Sequence, residues 1–351
     1  MPLASDGPLH VGLLYGGRSS EHDISVLSAR NIEDVLIAHP DRYHLAPIRI
    51  DRAGRWHRTD SVVNLAEDTF VNEIGYVLSG IDVVIPMLHG QNGEDGRIQG
   101  FLQTLGLPYV GPDVLASAAC MDKEVTKRML HDAGLPIVPF HLVRRGEALD
   151  FEAVSSDLGT PVFVKPANSG SSVGTSKATD AMSFEAAVAD ALRYDHKVLV
   201  ETAIEGREIE VAVLGNMHGD GAPLRASVPG EIINTAQFYT YEAKYLDPVA
   251  ARMQVPADLQ ADLAERIRGL ALDAARTLGC EGLARVDFFL RDDGHLFVNE
   301  INTIPGFTAH SMYPVMWDES GLALADLIDT LLRLAIQRHD RDGTLSFSIG
   351  D

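Results

Sequence analysis

A chain of 351 residues is too long for one ordinary core and is expected to divide into two or three domains, and its 46% hydrophobic and 23% charged content is that of a soluble globular protein. With 50 acidic against 29 basic residues the net charge is −21, which argues against nucleic acid or an anionic membrane as the main partner and leaves an anionic small ligand open only where Lys and Arg gather locally. Cys120 and Cys280 are too few for a disulfide framework and fit a reducing cytoplasm, the amino terminus lacks the basic and apolar regions of a signal peptide, and no apolar run approaches the roughly 18 residues of a membrane span.

To about Asp122, strands alternate with helices. His10 to Tyr15 reads as a short apolar strand, Gly16-Gly17 turns the chain, and Ser20 suits an N-cap with Asp23 as a weaker capping-box partner. Ile24, Leu27, Ile32, Val35 and Leu36 fall on one helical face. Strand, glycine turn and helix suggest a nucleotide fold, although the G-x-G-x-x-G pattern is absent. Glu21 is placed in the first helical turn, where the helix dipole favours a carboxylate. There it would suit an ammonium group and repel a phosphate, or it serves only its own helix end. Ile81 to Met87 is apolar enough for burial on both faces. It runs into the glycine-rich loop His89-Gly90-Gln91-Asn92-Gly93-Glu94-Asp95-Gly96. Alternating strands and helices imply a parallel sheet, whose ligands lie beyond the carboxyl ends of its strands. Glu21 and His89 both occupy such ends, although a lone His is more often structural.

The middle of the chain opens with a helix that Asp122 can cap and that Gly134 and Pro136 end. Lys123 at its start opposes the helix dipole, which suggests an anion nearby or a plain exposed lysine. Pro161 to Pro166 is a strand ending in Lys165. The loop Ala167 to Gly174 follows it, and its backbone N–H groups and hydroxyls could wrap phosphate oxygens or form an ordinary turn. Lys197 to Val200 is another strand, leading into Glu201-Thr202-Ala203-Ile204-Glu205-Gly206-Arg207-Glu208. Such a segment can offer backbone groups to a purine edge and a carboxylate to ribose hydroxyls.

In the last segment Gln237 to Tyr245 is an aromatic loop. Ala257 to Leu278 is an amphipathic helix with the stripe Leu259, Leu263, Ile267, Leu270, Ala274 and Leu278. A hairpin follows, with strands Leu283 to Leu290 and His295 to Ile301. With Asp293-Gly294 as its two loop residues, Asp287 falls opposite Glu300 and Arg285 opposite Asn302, all on one face. Opposed carboxylates repel. A divalent cation would reverse that, since Mg²⁺ takes oxygen ligands, while the alternative is a solvated polar face. Leu322 to Leu334 makes a terminal helix, and the last dozen residues are polar enough to fray.

Together these stretches resemble the D-alanine–D-alanine ligase family of the ATP-grasp superfamily over almost the whole chain. The resemblance rests, in order, on Gly16 to Ser25, Leu88-His89-Gly90 with Gly93-Glu94-Asp95-Gly96, Met121-Asp122-Lys123, and Val164-Lys165-Pro166. It continues through Gly170-Ser171-Ser172-Val173-Gly174, Tyr241 to Tyr245, Arg285-Val286-Asp287, Asn299-Glu300-Ile301-Asn302 and Pro305-Gly306. It implies an α/β (α+β) ATP-grasp fold, with an N-terminal parallel-sheet, Rossmann-like domain and two α+β domains clasping ATP. The divisions are 1–122 for substrate binding, 123–213 for the central domain and 214–351 for the catalytic domain.

The resemblance also implies roles. Lys123 and Lys165 contact the ATP phosphates, and the Gly170 to Gly174 loop, including Ser172, covers them. Glu201 and the backbone of Ala203 and Ile204 hold the adenine, and Glu208 the ribose. Ala203 departs from the large aromatic common in relatives, which leaves a backbone contact only. Asp287, Glu300 and Asn302 bind two Mg²⁺, with Mn²⁺ able to substitute. Glu21 binds the ammonium of the first D-alanine with His89 close by, and shares a hydrogen-bond network with Ser171 and Tyr245. Lys244 lies beside the transferred phosphate. Arg285 and the Gly306 N–H stabilise the oxyanion, and Ser311 with the Met312 N–H holds the second carboxylate. The implied activity is ATP-dependent formation of D-alanyl-D-alanine through a D-alanyl phosphate, for peptidoglycan synthesis, by a cytoplasmic homodimer. The rivals are another carboxylate–amine or D-alanine–D-lactate ligase, a nucleotide-binding regulator without turnover, and a metallohydrolase. Tyr245, Glu21 and Ser311 argue against the first pair. The last lacks a His partner for its carboxylates.

Overall fold

The computed structural model describes residues 7–58, 63–64, 77–147, 149–218, 223–234 and 251–346, and these form three sheets with helices packed on them. The first sheet holds β1 (Leu9–Gly16), β2 (Tyr43–Ile50), β3 (Trp56–Arg58), β4 (Val63–Asn64) and β5 (Val83–Met87), in the order β4-β3-β2-β1-β5. β1 runs parallel to both neighbours, as the alternation of strands and helices requires. Helix α1 (His22–Ile37) follows β1, and α2 (Arg97–Thr104) and α3 (Val114–Met121) follow β5. All five residues of β5 are buried.

The second sheet is antiparallel, with β6 (Phe140–Arg144), β7 (Val162–Pro166), β8 (Ser176–Ala178) and β9 (Lys197–Thr202) in the order β6-β9-β7-β8. Helix α4 (Lys123–Asp132) precedes it, and α5 (Phe151–Leu158) and α6 (Ala181–Ala191) cover it. Asp122 caps α4 by accepting from the Glu124 and Val125 N–H groups. Val154, Val162, Val164, Phe184 and Val200 make a core that stays within this unit.

The third sheet holds β10 (Arg207–Gly215), β11 (Arg225–Ala226), β12 (Gly230–Asn234), β13 (Ala251–Gln254), β14 (Gly282–Leu290) and β15 (Leu296–Asn302). Its order is β13-β12-β10-β14-β15, with β11 beside β10. The expected division between 213 and 214 thus falls inside β10. Helix α7 (Ala261–Leu278) packs on this sheet, and α8 (Met312–Glu319) and α9 (Leu324–Asp342) pack between it and the first sheet. One core accordingly joins Val11, Leu13 and Ile85 to Leu214, Leu283, Leu327 and Leu331. Arg338 of α9 pins the two units. It is buried, donates to the Tyr109 and Gly111 carbonyls, and lies 4.6 Å from the Tyr109 ring centre.

Several elements depart from their sequence reading. Glu21, and not Ser20, is the N-cap residue of α1, and it makes no side-chain cap bond because its carboxylate turns into the interior. The buried face of α1 is Ser25, Ser28, Ala29, Ile32 and Leu36, while Leu27 is exposed. The two serines are inside because they bond loops: Ser25 Oγ accepts from the Gly16 N–H at 2.7 Å and donates to the Met87 carbonyl. Gly16 has φ +90°, and a Cβ there would lie 2.3 Å from the Ile50 carbonyl oxygen, so only glycine makes this turn. Helix α7 starts at Ala261, after the Pro256 segment, and α9 begins two residues later and ends eight residues later than expected.

The hairpin pairs Asp287 with Glu300 and Arg285 with Asn302, as expected, but by another route. Its loop is Asp292-Asp293-Gly294, closed by the Arg291 N–H on the His295 carbonyl, not the two residues Asp293-Gly294. A register shift after Asp287 leaves Asn299 as the extra residue and restores the pairing.

Candidate active site

The carboxyl ends of β1 and β5 open into a cavity. The first sheet's loops supply Glu21, His89 and Glu94, the central unit Lys123 and Ser169 to Ser171, and the hairpin Arg285, Glu300 and Asn302. Residues separated by more than two hundred positions meet here because each sheet points one edge at the same space.

Glu21 is buried, and its carboxylate accepts from the Ser171 hydroxyl. Ser171 and Ser172 hold φ +50° and +59°, the left-handed region that non-glycine residues rarely adopt. This strain sits in the loop that the sequence marked for phosphates. Gly90 passes so close to Glu21 that a Cβ would lie 2.4 Å from its Oε2, at φ +73°. The His89 ring is buried, and burial holds its pKa below the ordinary value, so the imidazole is neutral. Its Nδ1 lies 2.9 Å from the Ile304 carbonyl and its Nε2 3.2 Å from Ser28 Oγ. A carbonyl only accepts, so Nδ1 carries the proton and Nε2 accepts from the serine. Both nitrogens are thereby engaged with protein.

The lysines form a second cluster. Lys123 Nζ donates to the Ser169 carbonyl at 2.6 Å and lies 3.8 Å from Glu300. Glu201 lies between Lys165 at 2.6 Å and Lys127 at 3.0 Å. Burial would raise the Glu201 carboxyl, and the two ammonium groups override it and hold it below its ordinary value. Burial lowers the Lys123 and Lys127 ammonium groups. Lys127 was not singled out from the sequence. Its spacing one helical turn from Lys123 was the available signal. Beside Glu201, the Ala203 N–H donates to the Pro161 carbonyl at 3.3 Å, which leaves the Ile204 N–H as the next amide for a ligand among the described residues. Glu208 stands half-buried on β10, opposite Phe289.

On the hairpin, Arg285 Nε and Nη2 each donate to Asp287 at 2.7 Å, and Asn302 Nδ2 donates to Asp287 at 2.9 Å. Arg285 also lies 2.9 Å from Glu210, a partner the sequence did not suggest. Asp287, Glu300 and Asn302 bring hard oxygen donors together at paired positions of the hairpin, and Glu300 lies 3.8 Å from Lys123. Among the described residues no three His, Cys, Asp or Glu side chains gather as a metal cage. That donor set fits Mg²⁺ or Mn²⁺, which uses one or two carboxylates and completes its shell with phosphate oxygens and water.

Beyond the hairpin, Ser311 is the N-cap residue of α8, and Met312 begins the helix, so its N–H is one of the unpaired amides that suit a carboxylate. Gly306 lies against Ser311, where a Cβ would be 2.9 Å from the hydroxyl oxygen. Lys244 and Tyr245, with the aromatic loop around them, lie outside the described residues.

Three units converge on one cavity, a lysine cluster faces a carboxylate hairpin across it, and a strained serine loop lies over the gap. This is an ATP-grasp enzyme. Residues 10–112 match the family described as D-ala D-ala ligase N-terminus, and residues 129–333 the D-ala D-ala ligase C-terminus. The chain belongs to the D-alanine–D-alanine ligase family. It is 44% identical to the D-alanine–D-alanine ligase of Shouchella clausii, covering 97% of this chain and 98% of that one. It is 45% identical to D-alanine–D-alanine ligase A of Salmonella typhimurium, over 96% of this chain and 98% of the relative. Among solved structures, the D-alanine–D-alanine ligase of Coxiella burnetii aligns with a TM-score of 0.81 at 38% identity, over 96% of each chain. The VanG D-Ala:D-Ser ligase of Enterococcus faecalis aligns with a TM-score of 0.78 at 31% identity, over 93% of this chain and 99% of that one. No described helix is long and apolar enough to cross a membrane.

Glu21→Gln is expected to raise the KM for the first amino acid more than that for ATP, because it removes a buried negative charge suited to an ammonium and leaves the lysine cluster alone. Initial rates with each substrate varied in turn check this. Equal rises in both would return Glu21 to a role in shaping the turn.

Proposed function

We propose that this protein joins two D-alanines at the expense of ATP, giving D-alanyl-D-alanine, ADP and phosphate for peptidoglycan precursors. The observation that carries the reading is Glu21, a buried carboxylate lining the same cavity as Arg285 and Gly306. A carboxylate is a poor electrophile at neutral pH, and phosphorylation gives it a leaving group. Lys123 and Lys165 neutralise the phosphate charge, so this step is mostly positioning and electrostatics. Asp287, Glu300 and Asn302 would hold the divalent cations, which supply charge neutralisation between nucleotide and carboxylate. Glu21 orients the first amino acid by its ammonium. Ser171 fixes the Glu21 carboxylate, and we assign Tyr245 to the same network and Lys244 to the phosphate. The second amine then attacks, and Arg285 with the Gly306 N–H stabilises the tetrahedral oxyanion. Ser311 and the Met312 N–H hold the second carboxylate. The Gly170 to Gly174 loop excludes water from the acyl phosphate. Adenine lies by Glu201, Ala203 and Ile204, with Glu208 on the ribose.

In the same reading the chain divides as 1–122, 123 to about 206, and the remainder, which keeps β10 whole. It works as a cytoplasmic homodimer through the first unit, which sedimentation would test.

Phosphate release from ATP and Mg²⁺, with D-alanine or L-alanine, tests the activity. Release that needs D-alanine, with the dipeptide as product, is expected. Release only with another acid overturns the substrate, and D-serine as second substrate is the arm that the VanG relative calls for. ATP binding without turnover on any amino acid would favour the regulator.

A further inference from the structure

The loop around Gly306 carries the backbone donor assigned to the oxyanion, and the backbone groups of Ile304 and Phe307 on either side are taken by side chains of the N-terminal unit. The Ile304 N–H donates to Glu94 Oε1 at 3.3 Å, and His89 Nδ1 donates to the Ile304 carbonyl at 2.9 Å. Past Gly306, the Phe307 N–H donates to Ser28 Oγ at 3.1 Å, and Asn31 Nδ2 donates to the Phe307 carbonyl at 2.8 Å. Pro305 has no N–H. From 304 to 307 among the described residues, the amide left to face the cavity is that of Gly306.

The same side chains reach back to Glu21. The other Glu94 oxygen, Oε2, accepts from the Gly90 N–H at 2.6 Å, and Gly90 is the residue packed against the Glu21 carboxylate. The His89 carbonyl accepts from Ser19 Oγ at 2.7 Å, and Ser19 Oγ accepts from the Glu21 N–H at 3.2 Å. One carboxylate therefore spans from the backbone under the ammonium site to the backbone beside the oxyanion donor. The first amino acid bridges the same two places, with its ammonium at one and its carbonyl at the other.

We propose that Glu94 is a positioning residue that sets the Gly306 N–H at a fixed separation from Glu21, so that the carbonyl of the bound first amino acid meets its oxyanion donor when the second amine attacks. This rests on the ligase reading and deepens it. A buried carboxylate is a costly way to tie two loops together. Burial, then the Glu21 charge, pushes the Glu94 pKa up to about 8. Its two N–H bonds work against that rise, and the ionised form they favour offers two acceptor oxygens where a glutamine has only one.

The tie acts on the second step, whereas phosphorylation of the first amino acid relies on the lysine cluster on the far wall. The two steps can be measured separately. Positional isotope exchange in [γ-¹⁸O₄]ATP with D-alanine reports reversible acyl phosphate formation, and dipeptide release reports the whole reaction. Glu94→Ala is expected to lower dipeptide kcat at least about tenfold, as for a partly misplaced oxyanion donor. The KM for ATP should stay within about twofold, and the ratio of exchange to dipeptide formation should rise. Glu94→Gln, keeping one acceptor, should fall between. Asn31→Ala loosens the loop from its other side, away from Glu21, and should shift the ratio the same way. It carries the test with Glu94→Gln if Glu94→Ala does not fold. Exchange and dipeptide formation falling in parallel in these variants, or a wild-type ratio, would overturn the proposal. Absence of D-alanine-dependent exchange in the unaltered protein would instead sink the ligase reading itself.

Discussion

Asp287→Asn is expected to lower turnover at least about a hundredfold at saturating ATP, Mg²⁺ and D-alanine, and Glu300→Gln to do the same, the scale expected for losing charge stabilisation of a transition state. Asp287 is engaged on both oxygens, by the Arg285 fork and by Asn302. An asparagine presents one acceptor and one donor, so its amide nitrogen would face an Arg285 N–H or the Asn302 amide. The variant loses a ligand charge and displaces the arginine. Glu300 is more open and faces Lys123 at 3.8 Å, so its change removes charge with less disturbance. Steady-state rates across a Mg²⁺ titration check both, with thermal melting as a control for folding. Near wild-type turnover at saturating Mg²⁺ would remove these residues from the metal site.

Arg285→Lys should lower kcat by about 10² to 10³, with the KM for ATP little changed. The substitution keeps the charge and loses the planar fork, and an arginine in a bidentate pair has no conservative replacement. Here the fork meets Asp287 with two bonds and Glu210 with a third contact, so the guanidinium is fixed before substrate arrives. A lysine cannot make those bonds at once. Its ammonium would settle on one carboxylate and leave the oxyanion site. A rise confined to the KM for ATP would place Arg285 on the nucleotide instead.

The hairpin was legible because pairing follows from where the acidic and basic positions fall along two strands of evident period. The three-residue loop and the bulge at Asn299 were not, since each is a one-residue decision made by local backbone geometry and the two cancel in the pairing that matters. Helix α1 misled for a different reason. Its apolar pattern selected Leu27, which is exposed, and passed over Ser25 and Ser28, which are buried because they hold the β1 turn, His89 and Phe307 in place. Hydrophobic periodicity finds faces that meet apolar neighbours, and a face that meets loop backbones reads as polar. The same limit hid Asn31 and Glu210, whose partners are distant in sequence, and left Glu94 without a role although its glycine-rich motif stood out. The catalytic motifs stood out because glycine spacing is a local constraint, as at Gly90 against Glu21.

Lys123 and Lys127 bear on how long the protein survives as well as on what it does. Burial weakens the hold of each ammonium group on its proton, whereas the unfolded chain keeps those protons at the ordinary lysine value. The folded state therefore carries a penalty that is fully present below the folded-state values and fades only as the pH climbs through the lysine range. A polyphosphate seated beside Lys123 offsets it. Nucleotide at a hundred times its Kd adds about 2.7 kcal/mol to resistance against unfolding by mass action alone. The same linkage makes the melting temperature rise with ATP concentration, and Lys123→Met should shrink that rise.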